Sequence, residues 1–334
     1  MKVVVVGGTG NISTSIVRLL LEKGHDVTCF NRGISECPFS EDVRIIHGDR
    51  NDRETFEKTM QREKFDAAID MISYTTEDAA SSMRAFRDVG HFIHCSTVVT
   101  YGTDFEWLPV TEDHPVKPQN EYGKAKAAAD RLLLEAYYRD NFPVTIIKPS
   151  TTYGPKRVLR QIGLDTTWIG RIRKGKPLLI CGDGIALHHF LYVDDAAKAF
   201  VGVLGKEHCI GQVYNMVHPK QTDWNEYHRT AMKVLGKEVE LVGVTLKDLM
   251  RIDEKRFKMC NDIFAHNVSY SSEKIMRDIP EYRPEISLEE GLRRTFEYLD
   301  RNGLVPDSDS ETWEDRIIEA QRKFACYLSG LAIQ

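Results

Sequence analysis

Apolar positions along the chain follow two alternating rhythms. Val3 to Val6 is an unbroken β-branched run, the pattern of a strand covered on both faces. Three glycines follow, and then apolar residues recur at helical spacing from Ile12 to Leu21. The succession repeats, predicting strands over 26–30, 43–47, 65–72, 91–95 and 144–148. Helices are predicted from Ile12, from near Asn51, over 76–88 and from about Glu121 to Tyr138. In the helix over 76–88, Ala79, Ala80, Met83 and Phe86 form one apolar face. Such alternation implies right-handed crossovers and a doubly wound parallel α/β sheet. The stretch 102–120, rich in Pro, Asp, Glu and Thr, is expected to be irregular and exposed. From about Lys156 the alternation gives way to basic residues, glycines and short apolar runs. A strand near Phe190–Val193, a helix over 194–204 and a strand over 211–217 return to the first pattern. The expected division is residues 1–155 with about 186–217 as a dinucleotide-binding domain. About 156–185 and 218–334 then form a smaller mixed α/β domain that binds substrate. The last helical pattern, Trp313 to Leu328, is expected to dock on the body or on another subunit.

Composition narrows the function. A formal net charge of −5 over 334 residues argues against a chain that works on phosphate backbones, so no nucleic-acid partner is expected. No apolar run reaches membrane-spanning length, and no charged region precedes an apolar stretch at the N-terminus; neither a membrane anchor nor a signal peptide is expected. Seven cysteines without a C-x-x-C pair suit a reducing cytoplasm. His188 and His189 are neighbours and point to opposite faces of a strand, and no metal-ligand spacing is found.

The strand–glycine–helix opening is the geometry of a Rossmann-type dinucleotide site, where backbone N–H groups and a helix dipole meet a pyrophosphate. Gly7, Thr9, Gly10, Asn11 and Ile12 are the candidates for that cradle, with Ser13 in the place of a third glycine. The second strand ends at Asn31-Arg32 with no carboxylate to accept from a ribose 2′-hydroxyl, which favours NADP over NAD. Arg32 as a solvated surface residue is the plain alternative. Asp49 is placed either to receive an adenine amino group or to cap the helix near Asn51. Met71, Ile72 and Ser73 close the fourth strand beneath the cofactor. Asp194-Asp195 reads as the cap of the helix that follows. The run Arg157, Arg160, Arg171, Arg173, Lys174 and Lys176 reads as a solvated helix face, with steering of an anionic substrate as the alternative. Trp168 and Trp224 read as core or pocket wall.

Tyr122 and Lys126 lie one helical turn apart, on one face. An ammonium beside a phenol favours the phenolate, giving a proton donor and acceptor usable near neutrality. The pair Ser96-Thr97 ends the preceding strand, where the carboxyl ends of a parallel sheet open onto ligand.

Taken in order, Gly7-x-x-Gly10-x-x-Ser13, Ser96-Thr97 before Tyr101-Gly102, Tyr122-x-x-x-Lys126, Lys148-Pro149-x-x-x-Tyr153-Gly154-Pro155 and Gly182-Asp183-Gly184 leading to Val193-Asp194-Asp195 resemble the extended short-chain dehydrogenase/reductases. The chain looks closest to their NAD-dependent epimerases and dehydratases, over residues 1 to about 300, including Tyr282-x-Pro284 and Leu288–Leu292. The resemblance implies an NAD(P)-dependent oxidoreductase or epimerase in which Tyr122 is the general acid/base. Lys126 would bind the nicotinamide ribose, and Thr97, with Ser96 as fallback, would hold the substrate oxygen. Pro149 would pack near the nicotinamide. Tyr153 and His188 are carried over as substrate contacts, His188 standing where the sugar-nucleotide enzymes place an arginine. Val98-Val99 replaces the Asp-Glu pair of the dehydratases, and an Arg-Pro-Gly-Asp segment near the end is missing. These departures make a nucleotide-sugar substrate less secure and bring in a smaller polyhydroxylated one as the alternative; a cytoplasmic homodimer is expected. The alternative resemblance is to the chloroplast stem-loop RNA-binding proteins, which keep this fold with a vestigial cofactor site.

Overall fold

The computed structural model describes residues 1–34, 38–39 and 43–331. Its centre is a parallel sheet built from β1 (Lys2–Val6), β2 (Asp26–Asn31), β3 (Arg44–His47), β4 (Ala67–Asp70), β5 (His91–Cys95), β6 (Val144–Pro149) and a last strand, Val213–Met216. The order across the sheet is β3-β2-β1-β4-β5-β6 and then Val213–Met216, with every neighbour parallel. Val3 pairs with Val27 on one side and Ala67 on the other, so the valine run occupies the middle of the sheet and is fully buried. That explains why it reads as continuous rather than alternating hydrophobicity.

Helices α1 (Asn11–Glu22), α2 (Arg53–Glu63), α3 (Thr76–Ala85) and α4 (Glu121–Asp140) cover the sheet with the helix Val193–Gly202. One layer of core joins Ile16, Val17 and Leu20 to Ala196, Phe200, Val3 and Val5; the other joins Val4 and Val6 to Phe56, Phe86, Phe92, Ala129 and Leu133. Among the described residues no helix is long and apolar enough to cross a membrane.

The chain clusters into two compact units. The first comprises 1–152, 189–220 and 269–286, and the second comprises 153–188, 221–268 and 287–334. Segment 269–286, which the sequence pattern assigns with 218–334, belongs to the sheet-bearing unit. Asp195 explains it: this fully buried carboxylate accepts from the Glu285 and Ile286 N–H groups at 3.0 and 2.8 Å. Val110 likewise bridges to Tyr270. The expectation that Asp194-Asp195 caps its helix is therefore corrected. The helix begins at Val193 with no side-chain cap, and Asp194 instead accepts from the Ser15 hydroxyl of α1 at 2.7 Å.

In the second unit the core gathers around Trp168 and Trp224, both fully buried, with Tyr227, His228 and Phe264. The basic run is a solvated face only in part: Arg157, Arg173 and Lys174 are exposed, whereas Arg160 and Arg171 are buried. Arg160 is buried and forms a bidentate pair with Glu314 at 3.0 and 2.6 Å. Arg171 reaches Asp315 at 2.6 Å, Arg173 reaches Asp300, and Lys174 and Lys176 pair with Asp309. Carboxylates between 300 and 315 thus pair with Arg160, Arg171, Arg173, Lys174 and Lys176. The helix Trp313–Ser329 docks through Glu314 and Ile318 on its own unit.

Candidate functional site

At the β1–α1 junction, Gly7 has φ +83°, and a Cβ there would stand 2.7 Å from Ile72 Cγ2. A Cβ on Gly8 would stand 2.5 Å from Cys29 Sγ, so this turn excludes side chains. Ser13 does more than stay small. Its hydroxyl donates to Gly7 O at 2.7 Å and accepts from Gly10 N at 2.8 Å, stitching the turn closed. The first turn of α1 carries no acidic residue, so the positive end of the helix is unopposed there.

At the next strand ends, Asn31 on β2 is in register with His47 on β3, and Arg32 is exposed. His47 carries no sequence signal; only strand register brings it here, where its Nδ1 would be 2.9 Å from a Cβ on Gly33. Asp49 is exposed and accepts from Asn51 N and Nδ2 at 2.9 and 3.0 Å. It caps no helix. α2 starts at Arg53 with Asp52 as its cap.

Several candidate cofactor residues have buried polar atoms without a hydrogen-bond partner: both side-chain atoms of Asn11, Nδ2 of Asn31 and Oγ of Ser73. Buried polar groups are ordinarily satisfied. Orphans clustered with a turn that admits no Cβ fit a dinucleotide carrying hydroxyls and phosphates.

Ile72 donates its N–H to Asp70 at 3.0 Å, and Asp70 is gripped by Arg50 at 3.0 and 2.8 Å and by Ser82 at 2.6 Å. Burial alone would raise the Asp70 pKa; Arg50 and these hydrogen bonds outweigh it and hold the carboxyl below its usual range. The strand end carrying Met71, Ile72 and Ser73 is thus fixed from beneath by a buried ion pair.

α4 is capped by Asn120, whose Oδ1 accepts from Gly123 N at 2.8 Å. The cap sets Tyr122 and Lys126 in the first two turns. Lys126 is buried, and its Nζ donates to Ser73 O and Cys95 O, each at 2.6 Å. Burial lowers its pKa, with Asp70 and Asp130 opposing. Burial also pushes the Cys95 thiol up to about 11, so it is neutral. Tyr122 is 46% exposed, and its ring lies 6.4 Å from that of Tyr74. Tyr74 in turn presents its face to Lys126 Nζ at 4.8 Å. The sequence reading stopped one residue short of it, at Ser73.

One further turn along the Tyr122–Lys126 face lies Asp130, also missed, although the spacing 122, 126, 130 was the available signal. Asp130 Oδ2 accepts from Ser96 Oγ at 2.7 Å and from Lys148 Nζ at 2.5 Å. Lys148 donates also to Thr100 Oγ1 at 2.7 Å, and Thr100 Oγ1 to Thr97 O at 2.9 Å. Burial would raise the Asp130 pKa; Lys148 and His94 overcome it, and the group stays charged. The chain of contacts ties α4 to the turn that carries Thr97. Ser96, 2% exposed, donates its hydroxyl to Asp130 and so braces the strand end against α4. Thr97 is 7% exposed, with Oγ1 accepting from Val99 N. Pro149 closes β6 in register with Met216.

Tyr153 and His188 belong to the second unit. The Tyr153 hydroxyl donates to Leu288 O at 3.4 Å. His188 is fully buried against the rings of Trp224 and Phe264 at 5.3 and 5.8 Å, an aromatic wall residue rather than an open anion clamp.

The model of the NAD dependent epimerase/dehydratase family matches residues 3–216. Among curated proteins the chain is 27% identical to the 2′-dehydrokanamycin reductase of Streptomyces kanamyceticus, over 73% of this chain and 69% of the other. It is 25% identical to the chloroplast stem-loop binding protein of 41 kDa b from Arabidopsis thaliana, over 95% and 84%. Of solved structures, the UDP-glucuronic acid 4-epimerase of Bacillus cereus, in complex with UDP-glucuronic acid and NAD, superposes with a TM-score of 0.73. That match is 21% identical and covers 90% of this chain and 100% of the other, a likeness of fold.

Proposed function

The chain belongs to the NAD dependent epimerase/dehydratase family, a sugar-modifying, extended short-chain dehydrogenase/reductase type of enzyme, and from that premise we propose that it moves a hydride at a secondary alcohol or ketone of a small polyhydroxylated substrate. The observation that carries the reading is that a half-exposed phenol and a buried ammonium lie one turn apart at the start of α4, the ammonium held by Ser73 O and Cys95 O. The nicotinamide, when bound, supplies the hydride acceptor or donor.

Tyr122 takes the proton of the substrate hydroxyl in oxidation and returns it to the carbonyl oxygen in reduction. Lys126, held by two carbonyl oxygens, favours the phenolate and meets the ribose hydroxyls. Thr97 positions the substrate oxygen. Gly7, Thr9, Gly10, Asn11 and Ile12 hold the pyrophosphate, and Met71, Ile72, Ser73 and Pro149 line the ring. Val98 and Val99 cannot transfer protons, so elimination of water is not part of the reaction. Arg32, with no carboxylate at the end of β2, takes a 2′-phosphate, and the cofactor is NADP. A homodimer in the cytoplasm is part of the same reading.

The test is a fluorescence titration with NADPH and NADH, followed by turnover on a panel of sugars, cyclitols and nucleotide sugars. Tyr122→Phe is expected to lower turnover at least about a hundredfold while NADPH affinity holds; retained turnover removes Tyr122 from the mechanism. Arg32→Ala is expected to weaken NADPH about tenfold and NADH little, and equal losses would return the assignment to NAD. Substrate conversion without cofactor consumption would make the reaction an epimerisation. The similarity to the stem-loop binding protein over 95% of this chain supports one other reading. A salt-dependent RNA mobility shift with no nicotinamide binding would establish it instead.

A further inference from the structure

Tyr74 has no role in the mechanism above, yet it touches both members of the catalytic pair. Its position is fixed from behind, where its backbone N–H and that of Thr75 donate to Asp78 Oδ2 at 3.0 and 3.2 Å. From there the ring turns its face to Lys126 Nζ at 4.8 Å and stands 6.4 Å from the Tyr122 ring, with an interplanar angle of 52°. Tyr74 is itself 46% exposed, so it is not core filling.

The ring has something to do there. Lys126 is 1% exposed, and its two hydrogen bonds go to carbonyl oxygens, dipoles rather than counter-charges. An ammonium removed from water on such terms is under-compensated. The negative face of an aromatic ring stabilises a desolvated cation directly. The charged and titratable groups around Lys126 are Asp70 and Cys95 at the strand ends, His94 on β5, Asp130 on its own helix and Arg50. Asp70 and Asp130 favour the ammonium, Arg50 and burial oppose it, and the Cys95 thiol is neutral.

We propose that Tyr74 is a positioning residue of the catalytic pair, its ring holding the Lys126 ammonium in place and charged, and so governing the proton affinity of Tyr122. The inference rests on the reading of Tyr122 as acid/base. It assigns the work to the ring and none to the hydroxyl. Burial raises the Tyr74 phenol pKa, so that hydroxyl stays neutral in the range where Tyr122 has to ionise.

The test is a pH titration of the full chain labelled at the tyrosine ζ-carbon and followed by carbon NMR. The Tyr122 resonance is assigned by its loss in Tyr122→Phe. Tyr74→Leu is expected to raise the Tyr122 midpoint by about 0.5–1 pH unit and to weaken NADPH several-fold. Tyr74→Phe, which keeps the ring, is expected to leave both unchanged. A leucine variant that titrates with the wild type overturns the inference, and so does a phenylalanine variant that shifts as far as leucine. If the leucine chain fails to fold, Tyr74→Trp decides. Its stronger cation–π face is expected to hold or lower the midpoint, and a rise overturns the proposal. A wild-type Tyr122 that ionises in the ordinary phenol range would instead defeat the acid–base reading, and this inference with it.

Discussion

Lys126 and Arg160 are both about 1% exposed and both cationic, and the two units of the protein treat them in opposite ways. Arg160 is met by the two oxygens of Glu314, whose Oε1 also accepts from Leu179 N. Burial lowers the Arg160 pKa, Glu314 and Asp165 more than restore it, and the guanidinium ends above its ordinary range. That charge is spent within the fold. Lys126 receives carbonyl oxygens and the face of a ring, and its pKa ends below its ordinary range. A cation compensated by a carboxylate is a structural rivet. One compensated by dipoles keeps an outward field and can act on a neighbouring phenol or an incoming hydroxyl. Burial alone did not distinguish them; the partner did.

Three buried histidines take a third course and discard the charge. Burial lowers the pKa of His91 and His189 to about 4 and that of His228 to about 3. Their folded pKa values lie below the unfolded value, so below about 6.5 the unfolded chain takes up protons that the folded chain refuses. Stability is therefore complete above about 6.5 and falls as pH drops towards 4. The largest effect expected is a loss of up to about 2 kcal/mol per histidine between pH 6.5 and 5, measured by urea denaturation. A flat profile would show that these rings are protonated in the fold.

Next comes Glu314→Gln, which leaves the buried Arg160 guanidinium with Asp165 as its one carboxylate and should cost about 3–5 kcal/mol in the same assay. A loss under about 1 kcal/mol would show that Arg160 is not the rivet described. Smallest in stability is Lys126→Met, expected to shift unfolding by no more than about 1–2 kcal/mol because no buried carboxylate bonds to its ammonium. NADPH binding and turnover should nevertheless collapse. A loss as large as that of Glu314→Gln would erase the distinction between the two cations.

The parallel sheet and the placing of Tyr122 and Lys126 one turn apart on a helix were legible along the chain because each is local, whereas the fourth strand, expected over 65–72, spans only Ala67–Asp70. Unbroken valines mean a doubly covered strand, glycines after a strand mean a tight turn, and a spacing of four on a helix means a shared face. Long-range pairing was not legible. The basic residues between 160 and 176 and the acidic segment 300–315 are each ordinary surface composition, and their pairing appears only when the second unit folds. Asp194 and Asp195 sit where caps sit, yet they serve α1 and the backbone at 285–286, more than 80 positions away. That the Ser96 hydroxyl bonds Asp130 and that Trp224 and Phe264 pack against His188 likewise depends on segments brought together by folding.

The amino-acid order by itself determined the α/β framework, the glycine cradle and which phenol has an ammonium one turn away, since nearest-neighbour sterics and helical period decide these. Only the tertiary structure decided which charges are neutralised, which hydroxyls are consumed and which ring covers Lys126. Those outcomes depend on the electrostatic company a buried group keeps, and that company comes from segments far along the chain.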